Sequence, residues 1–323
     1  MYQASSMLPL LLLLFGIGMA FGIIPSSVLT VLTALICLDF AIPLPNGYRP
    51  NVERKERYER LFAEGMQHYF PAKSIFLPKQ ELRQDQTYIL AAWPHSLMGG
   101  GGHAGLYDFS QHGAGLQVIY SGATIIQYVP FVRRFLTTLG LTDVTKRGLN
   151  RILQKPAARP YTVVHLVVGG IHEMFFTPRG ATHEQIILHK RKGFIKLALQ
   201  NQCDILPYYC FGANQMYGRV FDHKSILCRL SSLLQVSLVV WLGRWNIPMG
   251  WMPYKVPLLG VTGHVFCVPK LAKDQITDEV VQQVHADFCV ALKQLFDTYK
   301  HVYVNEMGAD ESWLTKELKL ETE

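Results

Sequence analysis

The strongest constraint on this chain's fold is an alternation between residues 88 and 211, in which short unbroken apolar runs exchange with helical patterns. Tyr88 to Trp93, Leu116 to Tyr120, Thr162 to Val168 and Asp204 to Phe211 have the length and composition of buried strands. Phe131 to Leu139, Gly148 to Lys155 and Lys192 to Asn201 carry helical patterns between them. This order predicts an α/β domain with a largely parallel central sheet. The chemistry of such a sheet is expected at the carboxyl ends of its strands.

Elements on either side extend the reading. Residues 50 to 68 predict an amphipathic helix with Tyr58, Leu61, Phe62, Gly65, Met66 and Tyr69 on one stripe, ended by Pro71. A last helix is expected from Thr277, with Asp278 and Glu279 in its first turn and a core stripe of Val280, Val284, Phe288, Leu292, Leu295 and Phe296. Between them, Leu227 to Met252 holds Trp241, Trp245 and Trp251 with Arg229 and Arg244. Its apolar core, Ser231 to Gly243, is too short to span a bilayer. It fits either an interfacial element touching lipid or a buried helix of the domain core.

The amino terminus has a different character. Two apolar stretches of 17 residues, Leu8 to Ile24 and Val28 to Leu44, flank Pro25-Ser26-Ser27. Pro25 removes a backbone donor and the serines can cap a following helix, so a helical hairpin is expected over residues 1–48, ahead of a body at 49–323. Full crossing and a shallow one-leaflet hairpin both fit stretches this short. Arg49, Arg54, Lys55, Arg57 and Arg60 follow directly, which places the body on the cytosolic side. Met1 to Met7 has no basic residue, which argues against a cleaved signal peptide.

Charge is concentrated in the body. The chain has 31 Lys and Arg against 24 Asp and Glu, yet residues 1–48 carry one charged side chain, Asp39. A basic body behind an uncharged apolar start suits an anionic membrane surface or a phosphate-bearing substrate. No basic stripe, zinc-finger spacing or RNP-type motif is present, so no nucleic acid partner is expected. The six cysteines form no CxxC pair and are expected as reduced thiols.

Three segments could carry chemistry. Trp93-Pro94-His95-Ser96 follows an apolar strand and precedes Gly99 to Gly102. A histidine there can act as a general base near neutral pH or simply satisfy a turn. Gly169-Gly170-Ile171-His172-Glu173 again follows a strand, and Glu173 could orient the histidine, hold a hydroxyl or face solvent. Arg191-Lys192-Gly193-Phe194-Ile195-Lys196 starts a helix, where cations and backbone N–H groups could grip phosphate or form a solvated face. The glycines lack a following Gly-Lys-Ser/Thr, no Gly-x-Ser-x-Gly elbow occurs, and the histidines lack metal-ligand spacing, so neither an NTP loop, a hydrolase elbow nor a metal is expected.

In order, Tyr69-Phe70-Pro71, Pro94-His95, Gly169-Gly170 with Glu173, Arg191 through Leu199, and Pro207 through Phe211-Gly212-Ala213-Asn214 resemble the type-2 diacylglycerol acyltransferase family. The likeness covers roughly residues 50–300, with Arg191 to Leu199 its most specific part. The second histidine of the family's His-Pro-His-Gly falls on His95, while Trp93 and Ser96 replace its ends. The family's Phe-Gly-Glu-Asn-Glu reads Phe211-Gly212-Ala213-Asn214-Gln215, and its Gly-Glu-Pro reads Gly263-His264-Val265. A more distant likeness is to glycerol-phosphate acyltransferases, but the aspartate of their His-x4-Asp dyad is Gly100.

The resemblance implies a glycerolipid-acyltransferase-like fold and an enzyme of the endoplasmic reticulum membrane, with lipid droplets and a homo-oligomer as further expectations. It implies acyl transfer from acyl-CoA, a co-substrate with no other cofactor, to diacylglycerol or a related lipid acceptor among membrane lipids. Monoacylglycerol or fatty-alcohol acylation, and a lipid-binding protein without turnover, are the alternatives. His95 and Glu173 are then the expected catalytic pair. Pro94, Ser96, Gly169, Gly170, Arg191, Lys192, Gly193, Lys196 and Asn214 are the expected substrate contacts.

Overall fold

The computed structural model describes residues 26–42, 52–97, 116–124, 140–154, 161–234 and 238–321, with single positions between 130 and 137. Leu8 to Ile24, Gly99 to Gly102 and most of Phe131 to Leu139 lie outside the described residues. The second apolar stretch begins as α1 (Ser26–Ala41). Its 16 residues reach about 24 Å at 1.5 Å per residue. Among the described residues no helix is long and apolar enough to cross a membrane. The expected hairpin is thus represented only by α1.

The amphipathic α2 (Val52–Tyr69) leads into β1 (Ala72–Phe76) and β2 (Gln86–Trp93). Its inward face differs from the expected stripe: Leu61 and Gly65 are exposed, whereas Lys55 and Ala63 are buried. Lys55 Nζ donates to Val118 O at 2.5 Å, a strand carbonyl that satisfies the buried ammonium.

Then follow β3 (Leu116–Gly122), β4 (Thr142–Asp143), α3 (Lys146–Leu153), β5 (Tyr161–Val167), the single turn α4 (Gly170–Glu173), β6 (Glu184–Ile187), α5 (Gly193–Asn201) and β7 (Ile205–Phe211). The chain continues through β8 (Gly218–Arg219), α6 (Ile226–Leu234), β9 (Trp241–Leu242) and β10 (Leu258–Thr262). It ends with α7 (Asp278–Met307) and β11 (Leu318–Glu321).

Seven strands form the main sheet in the order β1-β10-β7-β2-β5-β3-β4. From β7 to β4 every pairing is parallel, while β10 runs antiparallel to β7 and carries β1 parallel to itself. A central parallel strand is covered on both faces, and this is why its sequence reads as a continuous apolar run. Ile89, Ala91 and Trp93 of β2 enter one core with Phe194 and Phe288. Tyr88, Leu90 and Ala92 enter a second core with Val118, Val163 and Tyr208 on the other face.

Helix α7 closes the first core. Thr277 caps it by accepting from Val280 N, as expected, and Phe296 stacks on Phe211 with centroids 5.3 Å apart. The fully buried Phe288 and Phe296 would each cost about 3–5 kcal/mol on truncation to alanine. Val281, not Val280, is the buried member of the first turn.

The zone from 227 to 252 is neither one buried helix nor one apolar segment. It divides into α6, β9 and a single turn at Arg244–Asn246. Trp241 is buried, whereas Trp245 and Trp251 are 68% and 62% exposed. None of the six cysteines is paired in this structure.

Candidate active site

Because β2, β5 and β7 are neighbours and parallel, their carboxyl ends open onto one edge of the sheet. Ala92 pairs with Val167, and Trp93 with Tyr209. Pro94-His95-Ser96 leaves β2 at that edge, Gly169 to Glu173 leaves β5, and Gly212 to Asn214 leaves β7. Three of the expected segments therefore converge through strand topology alone.

His95 is 9% exposed, and Pro94 beside it is buried. Its Nδ1 lies 3.0 Å from Ser96 O. A carbonyl oxygen can only accept, so Nδ1 carries the proton and the basic lone pair is on Nε2. Burial lowers the imidazole pKa below 6.5, with the nearby Arg191 charge acting in the same direction, so the ring is neutral near pH 7. The Ser96 hydroxyl is also buried and has no hydrogen-bond partner among the described residues.

Glu173, 3% exposed, holds this loop through the main chain. Its Oε1 accepts from His95 N at 2.5 Å and its Oε2 from Ile187 N at 2.8 Å. One carboxylate thus ties the β2 loop to β6. Burial raises its pKa to about 7, against the two N–H donors and the Arg191 charge, which favour ionisation. The neighbouring His172 turns away, with its ring nitrogens 3.7 and 3.8 Å from Cys228 Sγ on α6.

The glycines before Glu173 make this packing possible. A Cβ on Gly169 would sit 1.9 Å from Glu173 Oε2, and Gly170 adopts φ +70°. Both conditions exclude ordinary side chains.

The basic segment is divided. Arg191 Nη2 donates to Gly169 O at 3.4 Å, so Arg191 joins His95 and Glu173 at the sheet edge. Lys196 instead pairs with Asp278 of α7 at 3.3 Å, and Lys192 acts electrostatically on His285 of the same helix. Gly193 is exposed, with open space where a Cβ would lie. Arg191 thus turns to the sheet edge, while Lys192 and Lys196 have their contacts toward α7.

Asn214 belongs to a second buried group. Its Nδ2 donates to Glu184 Oε2 at 2.7 Å, Tyr209 OH donates to the same oxygen at 3.2 Å, and Lys316 Nζ stands 3.8 Å from Oε1. Burial raises the Glu184 carboxyl pKa despite these partners. Sequence reading missed Glu184 and also Arg219, whose Nη1 donates to Met174 O at 2.7 Å. A carboxylate two positions before the apolar run Ile186-Ile187-Leu188 was the available signal for Glu184. Arg219 had none, because its partners come from distant segments.

The chain is similar in sequence to acyltransferases acting on glycerides and alcohols. The chain is 28% identical to diacylglycerol O-acyltransferase 2A of Umbelopsis ramanniana, over 81% of its own length and 74% of that protein's. It is 30% identical to 2-acylglycerol O-acyltransferase 3 of Homo sapiens, over 81% and 77%. It is 26% identical to acyl-CoA wax alcohol acyltransferase 2 of Mus musculus, over 82% and 79%. A family model described as diacylglycerol acyltransferase matches residues 21–310, a span holding His95, Glu173, Arg191 and Asn214. By that match, which runs through the whole sheet and the convergent edge, this chain belongs to the diacylglycerol acyltransferase family.

Proposed function

We propose that this protein transfers a fatty acyl group from acyl-CoA to the free hydroxyl of diacylglycerol, giving triacylglycerol. The observation that carries the reading is a buried, neutral His95 with its Nδ1 committed to Ser96 O, at the edge where three parallel strands end. His95 Nε2 accepts the hydroxyl proton as the alcohol oxygen attacks the thioester carbon. The carbon–sulfur bond then breaks, and the CoA thiolate leaves and takes up a proton. No acyl-enzyme is required. General-base catalysis of this kind supplies about 100- to 10,000-fold.

Glu173 is assigned a positioning role, acting on the main chain of His95. The Ser96 hydroxyl is available to donate to the oxygen that gains charge in the attack. Arg191 lies on the reacting edge, while Lys192 at the N-cap of α5 and Lys196 in its first turn are offered for the CoA phosphates.

The same reading puts the protein at the endoplasmic reticulum membrane with its body toward the cytosol. Exposed apolar side chains support a lipid-facing surface: Val31, Leu35 and Leu38 on α1, and Trp245, Ile247 and Trp251 beside Arg244. The test is an assay of microsomes or detergent-purified protein with labelled acyl-CoA and a panel of diacylglycerol, monoacylglycerol and fatty-alcohol acceptors. Labelled triacylglycerol as the main product is expected. Exclusive labelling of another acceptor would reassign the substrate, and no product with any acceptor would remove the acyl-transfer reading.

A further inference from the structure

Strand β6 stands outside the seven-stranded sheet, and its one strand partner among the described residues is β11. A two-stranded ribbon four residues long is marginal by itself. Its hold comes from both edges. Toward β11, Glu184 N donates to Glu317 O at 3.0 Å and Leu188 N to Glu321 O at 3.3 Å. On the opposite side, Gln185 N donates to Thr177 Oγ1 and Ile187 N to Glu173 Oε2, each at 2.8 Å.

The pairing with β11 therefore fixes more than a strand. Leu318 stands opposite Glu184 and Lys319 opposite Gln185, and a slip of one residue would turn every group of β6 to the other side. The Ile187 N–H would then leave Glu173, whose other oxygen accepts from His95 N at 2.5 Å. An unbroken path of hydrogen bonds runs from β11 through β6 and the Glu173 carboxylate to the main chain of His95.

The segment before β11 is firmly seated. Trp313, 2% exposed, packs edge-on against Tyr303 with centroids 4.8 Å apart, and Lys300 Nζ donates to Lys316 O at 3.1 Å. The buried Lys316 ammonium lies 4.1 Å from the centre of the Trp313 ring and 3.8 Å from Glu184 Oε1, at the start of β6. The family match ends at residue 310, so Trp313, Lys316 and β11 lie outside it.

We propose that residues 316–321 are a positioning element of the acyl-transfer site, setting the register of β6 and through it the places of Glu173 and His95. This rests on the acyl-transfer reading above, and deepens it by adding a segment that acts on the histidine at a distance.

Lys319 gives the test, because its side chain is exposed while its backbone pairs with Gln185. Lys319→Pro takes a backbone donor out of the ladder, whereas Lys319→Thr loses the same charge and keeps the donor. Hydrogen–deuterium exchange of peptides spanning Ile187 and His95 is measured on the purified full-length protein, beside acyl-transfer kinetics and thermal melts. Lys319→Pro should speed exchange at both amides by about tenfold or more. It should also lower kcat by about 10- to 100-fold with little change in the KM for acyl-CoA. Lys319→Thr should restore both. If the proline variant does not fold, Lys316→Met should show the same two effects more weakly, and Lys316→Arg should recover most of each.

Wild-type exchange at Ile187 and His95 in a folded Lys319→Pro protein, or in Lys316→Met where the proline variant fails to fold, overturns the assignment. So does a lower melting temperature with kcat per folded enzyme unchanged, which is what a merely structural strand would give. Faster exchange at both amides in a protein that acylates no acceptor overturns the acyl-transfer reading and leaves the link from β11 to His95 standing.

Discussion

Glu173 Oε1 accepts the main-chain N–H of His95 at 2.5 Å, so the carboxylate fixes where the histidine stands through its backbone. The second oxygen is used by Ile187 N. Replacement by glutamine leaves one acceptor oxygen and sets an NH2 group against an N–H donor. Glu173→Gln should lower kcat by about 10- to 100-fold, with a much smaller change in the KM for acyl-CoA. Steady-state kinetics of the purified variant check this, and unchanged kcat would end the positioning role.

The same residue makes stability depend on pH. Its folded-state pKa is about 7, against an ordinary value of 4.5. The folded protein therefore keeps a proton that the unfolded chain releases. That contribution is fully present below about 4.5 and is lost as pH rises through about 7. The stability advantage of the wild type over Glu173→Gln, followed by thermal melts at several pH values, should shrink across this window. A difference that grows with pH contradicts the assignment.

Gly169 offers a steric test of the same site. A Cβ there would fall 1.9 Å from Glu173 Oε2, inside any van der Waals contact, so the carboxylate or the loop must move. Gly169→Ala should cost about 1–3 kcal/mol of stability by overpacking and should lose most acyl transfer. Gly193→Ala, where the space is open, should be close to neutral in both measurements. Equal behaviour of the two variants would contradict this packing.

These contrasts show what the sequence could and could not reveal. The strands were legible because β2, β5 and β7 are covered on both faces and leave uninterrupted apolar runs. Their parallel order brought the loops of His95, Glu173 and Asn214 to one edge. The inward face of α2 was less legible, because Lys55 finds its partner at Val118, on a strand 63 positions away. The pairing of Lys196 with Asp278 of α7 was hidden for the same reason, since the two lie 82 positions apart. Arg219 and Glu184 acquire meaning only from contacts that no local pattern encodes.

The exposed tryptophans give a prediction about the membrane. Trp245 and Trp251 present large apolar rings to solvent beside Arg244. Replacing both with serine should weaken binding to anionic phospholipid vesicles by about tenfold or more while the body stays folded. Vesicle cosedimentation checks this, and undiminished binding would move the contact elsewhere.

Acid should also suppress the reaction through the imidazole itself. His95 is neutral above a pKa that burial holds below 6.5, so kcat/KM should be level near neutrality and fall about tenfold per pH unit on the acid side of that value. An acid limb centred near 7 would report protonation of Glu173, and one well above 7 would assign the essential base to another group.

The most direct measurement is acyl transfer by purified, folded His95→Ala with labelled acyl-CoA and diacylglycerol. If the ring removes the alcohol proton, turnover should drop by at least about 100-fold while binding of both substrates persists. Turnover equal to that of the wild type would show that the chemistry does not pass through this histidine.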